Sequence, residues 1–155
     1  MRDRPSHLFV QAGVGGLAAA MADGLRDIMD GPKRLLIVEP ESAACVARAL
    51  AVGHPVRIPG DLHTAAGMLS CGLASAPALE ILQRHDVRSV VVSEERLLGA
   101  VGALRAGGGP DTTPSGAAGL AGLLHVAARP ELRATHQLSS ESTVLLVATE
   151  GPVTD

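Results

Sequence analysis

Gly13-Val14-Gly15-Gly16-Leu17-Ala18 is the stretch of this chain best suited to binding chemistry. It follows a short β-like run, His7 to Gln11 (HLFVQ), and leads into a helical stripe in which Leu17, Met21 and Leu25 recur at i, i+4 and i+8. A glycine-rich turn in that setting leaves backbone N–H groups bare at a helix N-terminus, where the helix dipole adds to their attraction for a phosphate. Without Cβ atoms the backbone can approach the oxygens closely. The same residues satisfy G-x-G-x-x-A, and Glu39 ends a second apolar run about 20 residues on, the spacing of a dinucleotide-binding fingerprint. Two readings stand side by side: an anion site, for a dinucleotide or a monophosphate cofactor, and a tight turn whose glycines only allow close helix packing.

Other reactive side chains point less far. The six histidines show no HExxH or i, i+4 pairing, so no metal site is expected. Ser115, in Pro114-Ser115-Gly116-Ala117-Ala118, does not form a G-x-S-x-G elbow and reads as a helix cap. Cys45 and Cys71 have neither CxxC nor zinc spacing, and Cys71 reads as a small packed thiol. Glu94 and Glu95 head a predicted helix and suit its dipole. Lys33 is the only lysine, in the predicted exposed turn Gly31-Pro32-Lys33-Arg34, and cannot serve a mechanism that needs a buried one.

The elements that position these residues alternate in type. Arg34 to Glu39 (RLLIVE) is a continuous apolar run of the kind buried on both faces of a parallel sheet, and Arg88 to Ser93 and Ser142 to Ala148 read as further strands. Helices are expected from Leu17 to Met29, Glu41 to Ala51, Pro77 to His85, Glu94 to Arg105, and from Ser115 to the residue before Pro130. Thr64 to Gly72 is rich in small residues without a clear period, which suggests close backbone packing or a ligand-facing wall. Gly107 to Pro114 reads as a surface loop. Four strands and about five helices in alternation predict a single α/β domain over residues 1–155, a mostly parallel sheet with helices on both faces.

Composition excludes several functions. Phe9 is the only aromatic residue among 155, so there is no platform for stacking bases, and a net charge of −3 with scattered basic residues gives no footprint for a phosphate backbone. Nucleic acid is therefore not an expected partner. No apolar stretch is long enough for a membrane span, and the charged N-terminus lacks the apolar segment of a signal peptide. With two cysteines, a reducing, cytoplasmic setting is expected.

The runs FVQAGVGGLAAA, LLIVEPESAACV, HTAAGMLSCGLAS and TVLLVATEGPVTD, taken in order, closely resemble the C-terminal half of the diaminopropionate ammonia-lyase group. That group belongs to the fold type II pyridoxal-phosphate enzymes, with threonine dehydratases, threonine synthases and the tryptophan synthase β chain as relatives. The resemblance implies that Gly13, Val14, Gly15, Gly16 and Leu17 hold the phosphate of pyridoxal 5'-phosphate, mainly through backbone N–H groups. It also implies that Thr149 sets a neutral hydroxyl against the pyridine nitrogen, a choice suited to β-elimination rather than transamination.

In relatives the Schiff-base lysine lies in an N-terminal half that has no counterpart in these 155 residues, and Lys33 matches no catalytic position. The expectation is thus the C-terminal part of a large domain from a lyase that acts on a small amino acid such as diaminopropionate. It would bind cofactor weakly and be inactive alone; a second copy of itself in a homodimer, or a companion chain, is the expected protein partner. A nicotinamide- or flavin-dinucleotide module and a catalytically dead scaffold are the alternatives.

Overall fold

The computed structural model describes residues 4–152. The chain runs β1 (His7–Gln11), α1 (Gly16–Leu25), β2 (Arg34–Pro40), α2 (Cys45–Val52), α3 (Ala76–Arg84), β3 (Arg88–Val92), α4 (Glu94–Ala106), α5 (Ala118–Ala127), α6 (Pro130–His136) and β4 (Val144–Leu146). All strands are parallel, in the order β3-β2-β1-β4. From β1 the chain steps outward through β2 to β3, then returns across the sheet to place β4 on the far side of β1. The order therefore reverses between β1 and β4, and a crevice at the carboxyl ends of these two strands is where such sheets bind ligands.

The continuous apolar runs are explained by burial on both faces. In β1 and β2, Leu8, Val10, Leu35 and Ile37 point into a core shared with α1, α2 and α3. Their neighbours Phe9, Leu36 and Val38 point into a second core with α4 and α5. Alternation along a strand thus sorts side chains between two apolar layers rather than between core and water.

The small residues of α5 have a specific cause, because this helix lies directly on β1 and β2. A Cβ on Gly119 would come 2.7 Å from the Phe9 carbonyl oxygen, and one on Gly122 would run into the Val38 side chain. Gly119→Ala is expected to destabilise the fold by about 2–3 kcal/mol through overpacking against backbone that cannot yield. Gly24→Ala on α1, where a Cβ meets nothing within 4 Å, is expected to stabilise by about 0.5–1 kcal/mol. Thermal unfolding of the two variants checks the contrast: the first lowers Tm, the second raises it.

The predicted strands and most helices lie where expected, with four differences besides the later start of α5, at Ala118 rather than Ser115. The first helix ends at Leu25 and continues as a 3₁₀ turn, Arg26–Ile28. Residues Glu41–Ala43 likewise form a 3₁₀ turn before α2. Strand β4 spans only Val144–Leu146, because it is an edge strand that pairs with His7–Phe9 alone. The short helix α6 was not expected; Pro130, read as a terminator, sits in its first turn, where a missing N–H is harmless.

Candidate functional site

A cleft of about 410 Å³ opens at the crevice between the ends of β1 and β4. Gly13, Val14, Gly15, Gly16 and Leu17 line one side and Thr149 and Glu150 the other, with Gln11, Met68, Leu69, Cys71 and Ser115 completing the wall. All six residues singled out from the sequence are thus brought together. Residues Thr64 to Gly72 do supply part of the wall, through Met68, Leu69 and Cys71.

The glycine turn is shaped by two different needs. Gly15 has φ +104°, in the left-handed region that glycine adopts without strain. At Gly13 a Cβ would approach the Met68 carbonyl oxygen to 3.1 Å and Cys71 Sγ to 3.2 Å, so its absence lets the two walls close together. The carbonyls of this turn are occupied: Gly13 O accepts from Cys45 Sγ, Val14 O from Ser75 N, and Gly15 O from Ala19 N. Its donors are not, since among the described residues no backbone acceptor takes the N–H groups of Gly13 through Leu17. Five free donors at the head of α1 form an anion cradle.

Glu39 overturns the dinucleotide reading. The residue is fully buried, and its two carboxylate oxygens accept from Val46 N and Ala47 N, each at 2.8 Å. It caps α2, whose own N-cap residue Ala44 has no side chain to do so, and cannot turn to a ribose hydroxyl. Burial pushes its carboxyl up to about 7 against the opposing pull of the two N–H bonds. Behind the glycine turn, burial first and the Glu39 charge second hold both thiols up, Cys45 to about 12. Cys71 faces the cleft as a protonated thiol, which makes it a packing group and not a nucleophile.

Besides Gln11, Ser115 and Glu150 are cleft residues that the sequence did not reveal. Ser115 does not cap α5, which starts three residues later behind Ala117; it is 4% exposed and accepts from Met68 N at 3.2 Å, tying the two walls together. Glu150 is the one charged side chain lining the cleft, much closer to the glycine turn than sequence distance implied. Thr113 Oγ1 donates to its carboxylate and Thr112 Oγ1 to its carbonyl, which turns the charge toward the α4–α5 loop. No local pattern signals either residue, because both act across 37 to 47 residues of sequence.

Lys33 is half-buried rather than exposed, and it precedes the first residue of β2. The register sets Arg34 beside His7 and Val38 beside Gln11, so Lys33 lies roughly 16 Å down the sheet from Gln11, the last strand residue before the glycine turn. Among the described residues no cluster of three His, Cys, Asp or Glu could hold a metal ion, and no helix is long and apolar enough to cross a membrane.

The model of the pyridoxal-phosphate dependent enzyme family matches residues 1–150. The chain belongs to that family. It is 31% identical over 158 residues to the diaminopropionate ammonia-lyase of Escherichia coli K12, covering 95% of this chain and 39% of that protein. A biosynthetic L-threonine dehydratase of Salmonella typhimurium is 31% identical over 83% of this chain and 25% of its own length. Among solved structures, holo diaminopropionate ammonia lyase from Escherichia coli superposes with a TM-score of 0.77 at 28% identity, over 95% of this chain and 38% of that one. Threonine deaminase isoform 2 from Solanum lycopersicum, at 23% identity and TM-score 0.77, shares the fold. The chain spans about two fifths of the length of the curated ammonia-lyases it matches.

The cleft fits the family's cofactor on its own geometry. A cradle of bare N–H groups suits a phosphate, the Thr149 hydroxyl across the cleft suits a ring nitrogen, and the apolar wall of Leu17, Met68 and Leu69 suits a flat ring. No cationic side chain is among the residues lining the cleft, so backbone N–H groups and the dipole of α1 are what it presents to an anion.

Proposed function

We propose that this chain is the C-terminal portion of a pyridoxal-phosphate-dependent ammonia-lyase that eliminates a β-substituent from a small amino acid such as diaminopropionate, one α/β unit carrying the phosphate and pyridine ends of the cofactor site. The observation that carries this reading is the convergence, at the point where strand order reverses, of the free donors of Gly13 to Leu17 with Thr149. The bound cofactor supplies an electron sink for the substrate's α-carbon. The chain's own part is to bind and orient: the N–H cradle fixes the phosphate, Thr149 addresses the ring nitrogen, and Leu17, Met68 and Leu69 exclude water from one ring face. Elimination needs a lysine amine at the reacting carbon, and Lys33 lies at the other end of the sheet. Turnover therefore requires a lysine-bearing half, in the same polypeptide or in a companion chain. The free thiols Cys45 and Cys71 support a reducing, cytoplasmic setting.

The test is a titration of the chain with pyridoxal 5'-phosphate, NAD and flavin dinucleotide in parallel, followed by phosphorus NMR. Weak binding of pyridoxal phosphate alone is expected, because contacts to two ends of a ligand leave little to offset the loss of its motion. Preference for either dinucleotide sinks the reading. Borohydride treatment of the pyridoxal-phosphate complex, followed by peptide mapping, is expected to leave Lys33 without a stoichiometric label; a single adduct there would show that the lysine reaches the cleft.

A further inference from the structure

Gln11, the last residue of β1, is 4% exposed, yet its amide is only half satisfied. Nε2 donates to Thr149 Oγ1 at 3.1 Å, whereas Oε1 is buried without a partner among the described residues. A buried carbonyl left unpaired is costly, so its retention beside a binding cleft calls for a cause. The bond joins the end of β1 to the segment after β4, across the point where strand order reverses, and both partners line the cleft. A hydroxyl that accepts from an amide N–H has its own proton free to point elsewhere. Thr149 is exposed and lines the cleft, so that proton is available to a group seated there.

We propose that Gln11 is a positioning residue that fixes Thr149 as a hydrogen-bond donor toward an uncharged aromatic nitrogen. This rests on the cofactor reading above. The amide brings no charge, so nothing behind Thr149 stabilises a protonated ring. A carboxylate at position 11 reverses the pair: it accepts the Thr149 proton, turns the hydroxyl's lone pairs to the ring and favours the pyridinium form. The choice between a neutral and a charged ring is thereby set by one buried side chain that need not touch the ring itself.

The full chain with pyridoxal 5'-phosphate labelled with ¹⁵N in the ring tests this, the ring nitrogen shift being followed against pH in wild type, Gln11→Glu, Thr149→Val and the double variant. Gln11→Glu is expected to move half-protonation of the bound ring upward by about one pH unit, a tenfold change in its protonation equilibrium, and the increment is expected to vanish in the double variant. No increment, or one that survives Thr149→Val and so acts through space, overturns the proposal. A second readout needs no cofactor. In the ligand-free chain, Thr149→Val is expected to shift the side-chain amide resonances of Gln11; unmoved resonances overturn the pairing, even where Gln11→Glu fails to fold. Absence of any phosphorus NMR change in the wild type is a different failure: it removes the cofactor reading, and with it the ring as the target of Thr149.

Discussion

Gly16→Val is expected to abolish phosphate binding at the cleft while leaving Tm essentially unchanged, and Gly15→Val to lower Tm by roughly 6–12 °C, on the scale of 2–4 °C per kcal/mol for a chain of this size. The two glycines are adjacent, and the sequence treats them alike. Their surroundings differ. A Cβ on Gly16, at the exposed head of α1, meets nothing within 4 Å, so a valine there adds bulk among the free N–H groups without touching the core. A Cβ on Gly15 points away from the cleft, toward Leu82, Ala78 and Val46 at 3.4–3.5 Å, and φ +104° is closed to a β-branched residue without strain. Strain of about 1–3 kcal/mol and crowding of similar size combine at that position. Thermal unfolding and phosphorus NMR with inorganic phosphate, on both variants, separate the effects. Equal phosphate binding by wild type and Gly16→Val would reduce the glycine loop to a packing turn.

That contrast marks where sequence reasoning stops. Strands buried on both faces announce themselves as unbroken apolar runs, and β1, β2 and β3 begin and end within a residue of the expected places. What such runs cannot convey is which face each side chain takes, since Phe9 and Leu8 look the same to a pattern and lie in different cores. The glycine turn was legible as a strand–turn–helix junction at a cleft because its determinants are local: a turn, its glycines and the helix that follows. Ser115, Glu150 and Gln11 were unreadable as cleft residues because each acquires its role from a partner 37 to 138 residues away, in Met68, Thr113 and Thr149. Glu39 shows the opposite hazard. Its spacing matched a nucleotide-binding signature, while α2 begins with Ala44 and Cys45 and offers no capping side chain of its own, so the acid was spent on the helix.

The fate of Glu39 gives the other large expected effect, a dependence of stability on pH that Glu39→Gln removes. Burial raises its carboxyl from 4.5 to about 7 in the folded chain. Between those values the folded state keeps a proton that the unfolded state has released. The contribution of this group to stability is therefore complete below pH 4.5 and is lost as pH rises through 7. His7, His125 and His136 act in the opposite sense, because burial lowers all three, and stability falls as pH drops below 6.5 and the unfolded chain takes up their protons. These histidines are common to both proteins and cancel in the difference between them. A glutamine is close in shape to the protonated acid and presents one oxygen to the first turn of α2, so the two proteins should be nearly matched in mild acid. Urea unfolding at pH 5 and pH 8 is then expected to show the gap moving by about 2.5 kcal/mol in favour of Glu39→Gln, roughly three quarters of the shift's full value of about 3.4 kcal/mol at 1.36 kcal/mol per unit, the rest falling below pH 5. A gap that does not change with pH would mean that the two N–H bonds of Val46 and Ala47, at 2.8 Å each, outweigh burial and keep Glu39 ionised throughout. In that case the charge behind Cys45 and Cys71 is permanent, and the back wall of the cleft is an acidic one that an arriving phosphate must overcome with the N–H groups of the glycine turn alone.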